Sequence, residues 1–216
     1  MGLKYFGVPE YLVIGLRNSL SLSSFVETGT NVGNTCFWAA QRFSHVISIE
    51  ADERLYQVAQ RRLGNSPNVD LRLGPSEVIL RSVVPSLTGP ALFWLDAHWC
   101  GEGTAGFDYQ CPVLEEIGVV DSGSHQHVIL IDDARMFLNR APFRPEQWPN
   151  CGQLLDRLRE RFSDAYIAIQ DDVIVRVPAR ARAMMEMLLK AGSASLAGGL
   201  PQYRIVYSSG SKQRPS

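Results

Sequence analysis

A chain of 216 residues is long enough for one α/β domain with a full core, so no disulfide framework or structural zinc is needed to hold it together. Hydrophobic residues at 45% and charged residues at 20% exclude a disordered or membrane-spanning composition. The net charge of -1 provides no broad basic field for nucleic acid or an anionic membrane, which leaves a small, local substrate as the expectation.

Residues 1–8 read as a lead-in, and Pro9 at a first-turn position starts a helix to about Leu20, expected to pack on the edge of a sheet rather than act as a lid. Strand one is expected at 24–28, a helix at 33–43, strand two at 45–50 and a helix at 52–63 with Asp52 as its N-cap. Strand three follows at 68–73, then a helix at 76–84 before the turn residues 85–90. The continuous apolar run 91–96 suits a central strand covered on both faces. After a glycine-rich loop at 101–106 come a helix at 113–120 and strand five at 127–132.

Residues 134–150 contain Pro142, Pro145 and Pro149 without a clear period and read as a long loop. A helix at 153–162 precedes a hairpin, 165–170 and 173–177, turned at Asp171 and Asp172. A basic helix at 179–190 is expected to stop at Gly192, 203–207 to add a further strand, and the polar tail 208–216 to fray. This alternation predicts a single domain with a core at about 24–178, flanked by a helical lead-in at 1–23 and an extension at 179–216. Its sheet is mostly parallel, so the strand carboxyl ends share one rim.

Residues 25–35, FVETGTNVGNT, carry the pattern E-x-G-x-x-x-G at the turn from strand one into the first helix, with Gly29 for the bend and Gly33 for close approach. The loop holds no lysine of a triphosphate site, which points to a ligand without phosphates. Glu27 is placed to hold an amino group, directly or by ordering the loop. Glu50 lies 23 positions after Glu27, near the spacing at which a carboxylate reaches both hydroxyls of a ribose; the other reading is a surface acid at a strand end. Gly74, Pro75 and Ser76 suit either an adenine contact or a helix cap.

Asp96, Asp132 and Asp133 end two strands expected to be neighbours. Three such carboxylates repel unless a cation joins them, so magnesium or a similar hard divalent ion is expected there, against a reading as loop-capping residues. His98 is a base, an added ligand or a hydrogen-bonded rim residue. Trp99, Phe107, Tyr109 and Trp148 either wall a pocket or pack, and Arg135 either binds an anionic substrate group or pairs with the rim acids. The four cysteines, Cys36, Cys100, Cys111 and Cys151, lack paired zinc spacings and are expected as reduced thiols in a cytoplasmic protein.

These residues together resemble the class I S-adenosylmethionine-dependent methyltransferases, and more narrowly the metal-dependent O-methyltransferases of the catechol and macrocin types. The resemblance runs over 24–178 through ETGTNVGNT, SIEAD, LGPSEVIL, FWLDAHW and ILIDDAR. It implies a Rossmann-like seven-stranded sheet with helices on both faces and a C-terminal antiparallel hairpin. Glu27, Thr28, Gly29, Thr30, Gly33, Asn34 and Thr35 would form the methionine-side loop, and Glu50 and Ala51 the ribose side. Gly74, Pro75 and Ser76 would lie on the adenine side with Asp96 nearby, and Asp96, Asp132 and Asp133 would hold magnesium. The sequence DAHWC departs from the catechol enzymes, which carry a lysine after this aspartate, and His98 is the candidate base with Asp96 beside it.

The implied reaction is methyl transfer to an oxygen of a hydroxylated metabolite or sugar, without nucleic acid or membrane partners and with a homodimer possible. Competing readings are a metal-dependent hydrolase built on Asp96, His98, Asp132 and Asp133, or a non-catalytic S-adenosylmethionine-binding protein.

Overall fold

The computed structural model describes residues 7–99, 101, 104–138 and 144–197, the residues from 192 onward by backbone alone. The expected strand at 203–207, the tail and Cys100 lie outside these residues. The strands are β1 (Ser24–Thr28), β2 (His45–Glu50), β3 (Val69–Leu73), β4 (Ala91–Leu95), β5 (Val128–Ile131), β6 (Tyr166–Gln170) and β7 (Val173–Val177). They form one seven-stranded sheet in the order β3-β2-β1-β4-β5-β7-β6. The first five run parallel, while β7 is antiparallel to both β5 and β6.

Strand alternation builds two cores. Phe25, Leu92, Trp94, Leu130 and Val175 face one side, where α1 (Glu10–Leu20), α2 (Asn34–Ala40), α3 (Glu53–Leu63) and α8 (Arg182–Ala197) pack. Val26, Phe93, Leu95, Ile129 and Ile174 face the other, beneath α4 (Ser76–Ser86), α5 (Val113–Asp121), α6 (Ala134–Leu138) and α7 (Cys151–Glu160). Burial on both faces explains why 91–95 and 128–131 are unbroken apolar runs. Arg176 breaks the pattern: it is 1% exposed and makes a two-pronged bond to Asp121.

Several expected boundaries move. α1 begins after Pro9 and buries Leu12, Val13 and Leu16 against a sheet face rather than the edge. α2 spans 34–40, because Gly33 is its left-handed N-cap at φ 80. α4 continues through Pro85 to Ser86 and ends there, the proline forgoing its own helical N–H bond one residue before the helix stops. The expected loop 134–150 contains α6 and a 3-10 turn at Pro145–Gln147, and α7 starts at Cys151 because Asn150 and Gln153 form a capping box. The last helix begins at Arg182 after a 3-10 turn and runs past Gly192, whose cost of about 1 kcal/mol is tolerable within a longer helix. Asp52 caps α3 as expected, accepting from the N–H groups of Arg54 and Leu55.

Candidate active site

The strand order reverses between β1 and β4, and the turns leaving their carboxyl ends diverge to opposite faces of the sheet. Open α/β sheets bind ligands at such a point. A cavity of about 440 Å³ opens here. On the β1 side it is lined by Gly29, Thr30, Asn34 and Thr35, with Glu50 and Ala51 from the end of β2. Gly74, Pro75 and Ser76 close the β3 side, while Asp96 and His98 follow β4. Asn31, Glu77, Thr104 and Ala105 also line it. Of the aromatic candidates, only Tyr109 lines the cavity. Trp99 and Trp148 are buried, and Phe107 is exposed with its ring against Trp99 and beneath the Arg144 guanidinium.

Glu27, Thr28 and Gly33 stand behind this lining. Gly33, at the start of α2, packs toward Leu63 of α3. Glu27 is 2% exposed and accepts a hydrogen bond from the Ser48 hydroxyl, while Ser48 and Thr30 share a bond of 2.6 Å. Burial pushes the Glu27 carboxyl up to about 8, against the pull of the Ser48 bond. Glu27 therefore orders the loop through Ser48 and Thr30. Thr28 has a comparable role, its hydroxyl accepting the Asp96 N–H at 3.2 Å.

Glu50 is built into the cavity wall. Its Oε2 accepts the Asn31 N–H at 2.7 Å, and its Oε1 accepts the Asp52 N–H at 2.8 Å. These bonds tie the ends of β1 and β2 together while each carboxylate oxygen keeps a further lone pair. Burial raises the Glu50 carboxyl above its ordinary range, and the two backbone bonds oppose that rise.

Beyond β4, the His98 Nε2 lies 3.0 Å from Asp133 Oδ2, and its Nδ1 lies 3.6 Å from Asp96 Oδ1. The imidazole packs on Trp148, with ring centroids 5.4 Å apart. Arg135 reaches Asp133 at 2.7 Å and also pairs with Asp172, so it belongs to the ion-paired rim. Burial raises the Asp133 carboxyl, but the hydrogen bond to His98 and the Arg135 guanidinium prevail and hold it below the usual range.

The expected magnesium ligands, Asp96, Asp132 and Asp133, are not gathered into a cation site. Among the described residues, no group of three His, Cys, Asp or Glu side chains is arranged to hold a metal. Asp133 is already compensated by His98 and Arg135, and Asp132 accepts the Asp133 N–H at 2.7 Å. Neither Asp132 nor Asp133 lines the cavity. Burial and the adjacent Asp133 charge shift Asp132 toward its protonated form. Contacts from Arg135 and His98 to Asp133 thus offset part of the repulsion expected of three carboxylates.

Glu116 was missed. It is 1% exposed in the first turn of α5, and its Oε1 has no hydrogen-bond partner. Burial pushes this carboxyl up to about 7, opposed by Ser76 and Thr28, two residues that border the site. In sequence, Glu115 and Glu116 read as ordinary first-turn acids.

Cys36, Cys111 and Cys151 are free thiols. No helix among the described residues is long and apolar enough to cross a membrane.

No family model and no curated protein matches the chain. Solved structures do. A Staphylococcus aureus protein provisionally named a caffeoyl-CoA O-methyltransferase aligns with a TM-score of 0.58 at 14% identity, over 81% of this chain and 85% of its own. A Podospora anserina methyltransferase bound to S-adenosylhomocysteine aligns at 0.53 and 16% identity, over 81% and 80%. The Streptomyces achromogenes O-methyltransferase of tomaymycin synthesis, in complex with S-adenosylmethionine, aligns at 0.50 and 14% identity, over 81% and 82%. The chain has the fold of these proteins, a Rossmann-like sheet with an antiparallel C-terminal pair.

Proposed function

We propose that a protein of this fold, with this cavity, transfers the methyl group of S-adenosylmethionine to an oxygen of a small acceptor. The observation that carries the reading is the composition of the cavity: a glycine turn without lysine and a wall-mounted Glu50 face Asp96 and His98 across the point where the strand order reverses. The structural neighbours bound to S-adenosylmethionine or its demethylated product support it.

The cavity of about 440 Å³ is of the size that holds a small organic ligand. Gly29, Thr30, Asn34 and Thr35 suit the amino-acid end, Glu50 the ribose hydroxyls, and Gly74, Pro75 and Ser76 the adenine. When bound, S-adenosylmethionine supplies an electrophilic methyl group on a positively charged sulfur. The chain's own residues orient the acceptor and remove its proton. Carboxylate Asp133 can only accept, so the 3.0 Å contact calls for a proton on His98 Nε2; with that proton in place, removal of the acceptor's proton falls to Nδ1, on the side of Asp96. Proton removal by a placed histidine contributes roughly 10²- to 10⁴-fold to rate. Because Asp133 is engaged by His98 and Arg135, no step is assigned to magnesium. The acceptor class remains a hydroxylated metabolite or sugar.

Calorimetry with S-adenosylmethionine and S-adenosylhomocysteine tests the reading, with saturable binding of both expected. Absence of binding at millimolar ligand would overturn it. Labelled methyl transfer to a panel of hydroxylated acceptors then identifies the substrate.

A further inference from the structure

The turn joining β6 to β7 is strained at two positions. Asp171 and Asp172 both hold left-handed backbone, φ 52 and 64, which a two-residue hairpin turn favours and which asparagine or glycine adopts more readily. What the two carboxylates reach explains why aspartates stand there. Asp171 accepts the Tyr11 hydroxyl of α1 at 2.6 Å. Asp172 receives Arg135 twice, its Oδ1 accepting the backbone N–H at 2.9 Å and its Oδ2 the guanidinium. The Asp172 carbonyl also accepts the Ala134 N–H at 2.7 Å, so α6 starts on this turn. The same Arg135 Nη1 lies 2.7 Å from Asp133 Oδ1, and Asp133 Oδ2 lies 3.0 Å from His98 Nε2.

We propose that Asp172 is a positioning residue for His98: it fixes the Arg135 guanidinium, which fixes the Asp133 carboxylate, which holds the imidazole in a single tautomer with Nδ1 turned toward Asp96. The local strain at the turn is offset by two acceptor oxygens acting together, Oδ1 on the Arg135 backbone and Oδ2 on its guanidinium, where an amide would offer only one. A single Arg135 nitrogen, Nη1, contacts both carboxylates, and the guanidinium keeps its charge at any working pH, so the link between Asp172 and Asp133 is permanent. Asp133 is also left-handed, at φ 57, and the Arg135 clamp holds the segment that carries it. The catalytic meaning of this chain rests on the reading of His98 as the base; the chain of contacts itself does not.

The test is the imidazole nitrogen spectrum of histidine-labelled protein in chelator-containing buffer at about pH 8, where an ordinary imidazole is neutral. His98 is assigned by its loss in His98→Gln. Wild-type protein should show a pyrrole-type Nε2 and a pyridine-type Nδ1. In Asp172→Asn both resonances should shift toward their mean as the single tautomer is lost, while the thermal midpoint stays level or rises, because asparagine suits the turn. Arg135→Met should give the same spectral change with Asp172 intact. An unchanged His98 spectrum in both variants overturns the proposal. So does a spectral change accompanied by a fall in the midpoint of both, which would mark a merely structural role. Asp172→Asn should bind S-adenosylhomocysteine as wild type does; if wild type binds none, the methyl-transfer reading falls and the tautomer result still decides this inference.

Discussion

A Cβ on Gly29 would lie 2.2 Å from the carbonyl oxygen of Asp96. The residue also holds φ 81, so two independent restrictions coincide at the turn where β1 passes the end of β4. Gly29→Ala must therefore push the loop away from β4. The expected result is a loss of S-adenosylhomocysteine affinity of roughly tenfold or more, which corresponds to at least about 1.4 kcal/mol and is measurable by calorimetry.

Glu50 serves both the backbone and the ligand. Glu50→Gln keeps one acceptor oxygen but sets an amide donor against a backbone N–H at either Asn31 or Asp52. We expect affinity for S-adenosylhomocysteine to fall about 10- to 100-fold, by roughly 1.5–3 kcal/mol for a hydrogen bond to a charged group. Glu50→Ala should also weaken amide exchange protection at Asn31. Equal affinity in the wild type and both variants would remove Glu50 from the binding site.

The Arg176–Asp121 pair is buried between β7 and α5, with both bonds at 2.6 Å. Arg176→Met leaves a buried carboxylate without its partner and should cost about 3–5 kcal/mol in denaturant unfolding. Adding Asp121→Leu should recover much of that loss. A double variant no better than the single one would show that the pair contributes more than mutual compensation.

Two buried groups tilt the pH dependence of stability in opposite senses. Glu27 titrates at about 8 in the fold, against an ordinary value of 4.5, so the folded state keeps a proton that the unfolded chain releases. Stability falls as pH rises from 4.5 to about 8, and Glu27→Gln should stabilise the unliganded protein near pH 8 by an amount on the order of a few kcal/mol, with little effect near pH 4.5. His127 is pushed down to about 4 by burial first, then by the charges of His125 and Arg176. Its contribution is complete above 6.5 and is lost as pH falls from 6.5 to about 4, because the unfolded chain takes the proton first. His127→Asn, which keeps an acceptor for the Ala91 N–H, should flatten that acid limb. Thermal melts across this range check both signs.

Much of the sheet was legible because its signals are local. Unbroken apolar runs at β4 and β5, carboxylates at the ends of β2 and β5, and a glycine turn after β1 each report their own environment. The same locality explains the misses. α6, five residues long, gives no 3.6-residue period to read, and Asn150 caps α7 from within a proline-rich stretch. The metal expectation followed from counting carboxylates; the compensating guanidinium of Arg135 is held by Asp172, 37 positions away, and spacing does not show such a contact. Glu116 failed for a related reason, since only the packing of α5 against α4 turns an ordinary first-turn acid inward toward Ser76 and Thr28.

The central place of β1 bears on how the cavity comes into being. Ser24 pairs with His45 on one side and with Ala91 on the other, the second partner being supplied only after β2, α3, β3 and α4 have been traversed. Closing that loop costs entropy before any contact repays it, so the β1–β4 seam should form late in folding. Affinity for an adenosyl ligand then reports completion of the chain's long-range pairing: a refolding intermediate with β1–β3 assembled would have helices and a partial core, yet no pocket. Ligand added during refolding should leave the early phases untouched and act only on the last one.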